Sequence, residues 1–219
     1  MKTHKSSLDH SHFPVMLGEI LKLSNPSEGG LFIDCTFGGG GYSKALLKYP
    51  KTRVIGLDRD SSVAGIAKNL EKKFLDRFKF YQIKFSQIEK ISQNQVDVII
   101  FDLGLSSIQL NNLKRGFSFK SNESLDMTMG LSDFSAQDVI NNLTESQLKQ
   151  IIKILGEEKE ASRIAQNIVK VRAKKKITKV YELVDIIKKS KKRNYSTKIN
   201  PSTKTFQALR IFVNKEITE

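Results

Sequence analysis

The 219-residue chain is poor in the residues that ordinarily build metal and redox sites. It has a single cysteine, Cys35, so an internal disulfide and a cysteine-rich zinc site are both excluded. All three histidines, His4, His10 and His12, fall within the first twelve residues, which removes a histidine-centred triad or metal cluster from the body of the protein. No metal ligand set is therefore expected. No apolar run approaches the roughly 18 to 20 residues of a membrane helix. The opening stretch MKTHKSSLDHSHFP lacks the apolar core of a secretory signal. These absences predict a soluble, cytoplasmic protein without a membrane partner.

Acidic residues are also in deficit, and unevenly so. Lys and Arg number 37 against 23 Asp and Glu, a net charge of +14. Residues 1–110 carry a net +4 and residues 111–219 a net +10. Between Lys159 and Lys204 there are 15 basic residues and three acids, Glu160, Glu182 and Asp185. Two runs stand out, Lys174 with Lys175 and Lys176, and Lys188 with Lys189, Lys191, Lys192 and Arg193. Such density attracts polyphosphate backbones by releasing counterions. The same runs would also suit a solvated helix face.

The apolar pattern divides the chain in two. Residues 31–35, 53–58, 78–84 and 96–103 read as strands, and 42–49 and 61–75 as helices between them. Asp60 or Ser61 is placed to cap the second helix. Nearly all-apolar strands alternating with helices predict an α/β fold with a parallel sheet covered on both faces. After Gly104 the texture changes. Residues 105–134 show no sustained period, and from Ser135 the chain reads as helical. Thr144, Glu145, Ser146 and Gln147 form a capping box for a helix that stops at Gly156. Further helices are expected over 157–175, from a Thr178 cap, and over 202–217 after the Asn200-Pro201 break.

The first chemistry sits in the loop after the first strand, Asp34-x-Thr36-x-Gly38-x-Gly40-Gly41. Glycines there let the backbone approach a ligand and permit positive φ. Twenty residues after Gly38, Asp58 closes the second strand, where a carboxylate can accept from both hydroxyls of an adenosine ribose. The arrangement points to an adenosine-type cofactor. No Gly-Lys-Ser/Thr follows, so a Walker-type phosphate loop is excluded. In a dehydrogenase fingerprint the glycines follow the strand at once. Here Asp34 precedes them, an order that resembles the first motif of class I methyltransferases, where acid and loop hold the methionine part of S-adenosylmethionine.

Downstream stretches are more specific: Asp102-Leu103-Gly104-Leu105-Ser106-Ser107-Ile108-Gln109-Leu110, Arg115-Gly116-Phe117-Ser118-Phe119, Leu125-Asp126-Met127, Gly156-Glu157-Glu158 and Arg163-Ile164-Ala165. The last runs Thr205-Phe206-Gln207-Ala208-Leu209-Arg210-Ile211-x-Val213-Asn214-x-Glu216. With His12-x-Pro14-Val15 and Glu19, this ordered set resembles the bacterial 16S ribosomal RNA (cytosine-N4) methyltransferase family of the MraW type, over nearly the whole chain. The resemblance implies a Rossmann-like class I methyltransferase sheet in residues 1–105, an inserted, basic, all-helical RNA-recognition domain in 106–201, and a helix in 202–219 that returns to the first domain.

It further implies S-adenosylmethionine as cofactor, N4 of a cytosine in the decoding region of 16S rRNA as target, and the small ribosomal subunit as partner. A homodimer is allowed. Carried over by position, the cofactor contacts are Gly38, Gly40, Gly41, Tyr42, Asp58, Phe85, Asp102 and Gln109, with Asp102 also the candidate catalytic acceptor. Family members have histidine where Tyr42 stands, and continue past Glu219 into the closing strands of the sheet. Against the family pattern the chain reads as truncated, with an unpaired sheet edge. The alternative is a catalytically impaired RNA-binding or assembly module that keeps the cofactor loop.

Overall fold

The computed structural model describes residues 14–91, 95–191 and 200–219. Two compact units meet at the Gly104–Leu105 peptide.

The first unit is built on a parallel sheet. Its strands are β1 (Gly30–Asp34), β2 (Thr52–Leu57), β3 (Phe78–Tyr81) and β4 (Val98–Ile100), in the order β3-β2-β1-β4. Phe32 lies opposite Val54 on one side and Val98 on the other, and Asp34 opposite Gly56 and Ile100. Successive side chains of β1 point to opposite faces, and both faces are covered. Phe32, Val54, Phe78 and Ile100 pack with Leu46, Leu47, Val63, Ala67 and Leu70. The last five come from or adjoin α2 (Gly41–Leu46) and α3 (Ala64–Lys73). Leu31, Ile33, Ile55 and Leu57 face the other way, against Phe85, Ile88, Ile91 and Val96.

The strands are shorter than the apolar runs suggest. β4 begins only at Val98 because the Asp97 carboxylate takes the Leu31 amide at 2.7 Å, filling the space beside Gly30. Among the described residues no strand pairs beyond β4, and Ile99, Phe101 and Leu103 stand 47%, 50% and 71% exposed. An additional helix, α1 (Leu17–Ser24), precedes the sheet and lends Leu17, Ile20 and Leu21 to its first core. The cap before α3 is Asp60, whose side chain accepts from the Ser62 amide at 3.0 Å.

The second unit is helical. It contains α4 (Ser107–Asn111), α5 (Ala136–Asn142), α6 (Glu145–Gly156), α7 (Ala161–Arg172), α8 (Val180–Ser190) and α9 (Thr203–Asn214). The Thr144–Gln147 capping box is present. Thr178 is not a cap: Lys179 holds that position, and Glu182 accepts from both the Thr178 and Lys179 amides, at 2.9 and 3.0 Å. Residues 202–219 fall inside this unit, and Phe206, Ala208, Leu209 and Val213 belong to its core with Leu148, Ile152, Ile164 and Leu183. Gly156 is what lets α6 meet α9 closely. A Cβ there would sit 2.4 Å from the Lys204 carbonyl oxygen.

Several of the sequence stretches that single the chain out are joined here in one knot. Gly116 adopts φ +71, and a side chain on it would collide with the Ser124 carbonyl and the Asp126 amide. The Arg115 carbonyl accepts from the Met127 amide at 2.9 Å. Asn214, wholly buried, accepts from the Met129 amide at 2.8 Å and donates to the Met127 carbonyl at 2.8 Å. Replacing it would strand two buried backbone groups. Asn214→Ala is accordingly expected to lower stability by about 2–4 kcal/mol, measured by urea unfolding. A loss under about 0.5 kcal/mol, the range of ordinary surface substitutions, would contradict the assignment.

Candidate functional site

Strand order reverses around β1: the chain leaves β1 for β2 on one side and reaches β4 on the other. In an open parallel sheet the crevice at that reversal, at the carboxyl ends of the strands, is where ligands are held. Asp34 ends β1, Asp58 follows β2, Phe85 follows β3, and Phe101 and Asp102 follow β4. The topology thus brings five chemistry-bearing side chains to one end of the sheet.

The loop between Asp34 and α2 is clamped from both sides. The Gly38 amide donates to Asp58 Oδ2 at 2.8 Å, and the Asp102 amide donates to Thr36 Oγ1 at 2.8 Å. The Phe37 amide reaches the Leu57 carbonyl at 2.9 Å. Gly38 and Gly40 take φ +49 and +72, values that L side chains resist. Gly41 is bare for another reason: Pro14 Cγ would lie 2.3 Å from a Cβ placed on it. Its side-chain position is occupied by Pro14, so any ligand contact at Gly41 comes from its backbone.

Burial dominates the electrostatics. Asp34 is wholly buried, and loss of water pushes its carboxyl up to about 6, although the Ser43 hydroxyl donates to Oδ2 at 2.7 Å. Its Oδ1 is buried without a hydrogen-bond partner. Asp58 is also raised by burial, partly held back by amides of Asp60 and Gly38. Asp102 is exposed, just beyond the end of β4. Phe85 is half-buried and meets Phe101 edge to face, ring centroids 5.4 Å apart. Tyr42 is buried by its ring, and its hydroxyl donates to the Val15 carbonyl. Gln109 lies in the second unit, 7% exposed, with its side-chain oxygen accepting from the Ser106 amide at 3.0 Å in the cap of α4.

Seven of the eight expected contacts, Gly38, Gly40, Gly41, Tyr42, Asp58, Phe85 and Asp102, therefore lie in the first unit around one end of the sheet, and Gln109 lies in the second unit. Thr36 belongs to the glycine-loop motif read from sequence, but its tie to Asp102 shows only in the structure; Ser43 and Phe101 are not among the residues read from sequence, and the aromatic just before Asp102 is the available signal. The three histidines, Lys192 and Arg193 lie outside the described residues. Among the described residues no group of His, Cys, Asp and Glu is arranged to hold a metal ion, and no helix is long and apolar enough to cross a membrane.

The orphaned Asp34 oxygen, the positive-φ glycines and the carboxylates at one end suit a ligand bearing cationic and hydroxyl groups. They would repel the pyrophosphate of a dinucleotide. The sequence profile of the MraW methylase family matches residues 9–219. The chain belongs to the MraW methylase family.

Similar proteins agree. "Ribosomal RNA small subunit methyltransferase H" of Rickettsia akari is 41% identical over 95% of this chain and 68% of its own length. The proteins of the same name from a Wolbachia of Drosophila simulans and from Bartonella tribocorum are 42% and 43% identical, again over 95% of this chain. The matches take in 73% and 62% of those two relatives. A parallel sheet with a glycine loop after β1 is thus the methylase sheet of this family.

Asp34 generates a prediction that needs no ligand. Its carboxyl is raised on folding, so its contribution to stability is fully present below pH 3.8 and is lost as pH rises through about 6. Asp34→Asn, which removes the buried charge, should stabilise the protein at pH 7–8 by on the order of 3 kcal/mol. The gain should vanish below about pH 4 in urea unfolding curves. Parallel pH profiles for the two proteins would show that Asp34 is not the buried carboxyl described.

Proposed function

We propose that the chain is an S-adenosylmethionine-dependent methyltransferase that acts on small-subunit ribosomal RNA, at N4 of a cytosine. The observation that most supports this reading is the glycine loop clamped between Asp58 and the Asp102 backbone, with the unpartnered Asp34 oxygen beneath it. Asp34 would answer the ammonium group of the cofactor's methionine part. Asp58 uses one lone pair of each oxygen on the Gly38 and Asp60 amides and keeps others for ribose hydroxyls. Gly38 and Gly40 allow close approach, and Phe85 would flank the adenine. When bound, S-adenosylmethionine supplies a methyl group on a positively charged sulfur, ready for transfer.

The chain's remaining task is to present the nucleophile. The exocyclic amine of cytosine delocalises its lone pair into the ring. Asp102, by accepting hydrogen bonds from that amine, would restore electron density to the nitrogen and fix its direction. The base has to leave its stack to arrive there. Lys149, Lys153, Lys170, Lys174, Lys176, Lys188 and Lys189 are exposed on the helical unit and suit the phosphates of an RNA backbone. The names of the relatives support a ribosomal substrate.

Small ribosomal subunits that lack the modification, incubated with methyl-labelled S-adenosylmethionine, should acquire label at N4 of one cytosine. Subunits bound but left unlabelled would favour the assembly-module alternative. The lysine run makes a second prediction. Lys175 is already engaged 3.0 Å from Glu182, so replacing Lys174, Lys175 and Lys176 with alanine should lower the magnitude of the salt slope of RNA binding by roughly one to two. An unchanged slope would assign that run to solvated surface.

A further inference from the structure

Tyr42 places one proton between two acceptors. Its hydroxyl donates to the Val15 carbonyl, and Asp102 Oδ2 lies 3.5 Å from the same oxygen. A phenol has a single hydrogen to give, so it cannot serve both at full strength. The two acceptors come from different parts of the first unit. Asp102 follows β4 and carries the exposed carboxylate of the crevice. Val15 belongs to the segment just ahead of α1, and that segment is seated on the glycine loop because Pro14 fills the side-chain space of Gly41. Met16, at φ 53, then turns the chain into α1.

We propose that Tyr42 is a positioning residue that couples the docking of the Pro14–Val15 segment to the acceptor strength of Asp102. With the segment seated, the tyrosine proton is committed to Val15, and both Asp102 oxygens stay available to the amine of a nucleobase. When the segment lifts, the proton turns to Asp102 and occupies one of them. Seating of the segment and readiness of the carboxylate are then one event. The role in turnover rests on the proposed methyl transfer; the coupling itself does not.

Amide exchange over residues 15–20 in the full chain, without cofactor, reads the coupling directly. Tyr42→Phe keeps the ring and removes the tie, so exchange there should quicken by roughly threefold or more. Asp102→Ala removes the competing acceptor, so the same amides should slow. A tyrosine that merely fills the core would leave Asp102→Ala without effect on this segment, and that result would overturn the proposal. So would unchanged exchange in Tyr42→Phe. If the unaltered protein transfers no methyl group, the proposed function falls, and the opposite exchange shifts of the two variants still decide the coupling.

Discussion

The site depends on β1 being the central strand of a parallel sheet. Its backbone is bonded to β2 on one side and β4 on the other, and its side chains are buried on both faces. A strand so enclosed has no freedom at its end. The chain must turn at once over the sheet, and it does so through glycines at positive φ. That turn is then tied to its neighbours on both sides: its Gly38 amide donates to Asp58, and its Thr36 hydroxyl accepts from the Asp102 amide. A loop anchored at both flanks is ordered before any ligand arrives, so little of the binding free energy is lost in ordering it.

The same enclosure explains the charge state of the site. Asp34 is wholly buried at the end of β1, and its carboxyl is raised to about 6 as a result. Such a group destabilises the fold at neutral pH. Retaining it there is the pattern expected of a residue that serves a ligand rather than the fold. Asp58, partly relieved by two amides, and Asp102, open to water, complete a gradient of burial across the crevice.

Much of this was legible in the sequence, for identifiable reasons. The four strands of the sheet show because strands buried on both faces read as apolar runs, and Asp58 shows because its spacing from the glycines follows from strand-helix-strand geometry. Helix α6 shows because Thr144 and Gln147 mark its start. Other features depend on contacts distant in sequence. Nothing local reveals that Asn214 holds the Met127–Met129 backbone, 85 residues away at Met129. Nor could the pattern show that Gly41 is bare to admit Pro14. The segment 202–219 was assigned to return to the sheet by analogy, whereas its apolar residues at 206, 209 and 213 lie in the helical core. Nor does the pattern reveal the partners of the Tyr42 hydroxyl, Val15 and Asp102, which are 27 and 60 positions away.

The account stands or falls on the carboxyl end of the sheet being the cofactor site. Titration calorimetry of S-adenosylmethionine into the unaltered chain and into Asp58→Ala tests this directly. The account predicts binding by the unaltered chain, weakened at least about tenfold by the substitution, a loss of about 1.4 kcal/mol or more. RNA affinity should be retained in both proteins. Equal cofactor affinity in the two proteins would contradict it.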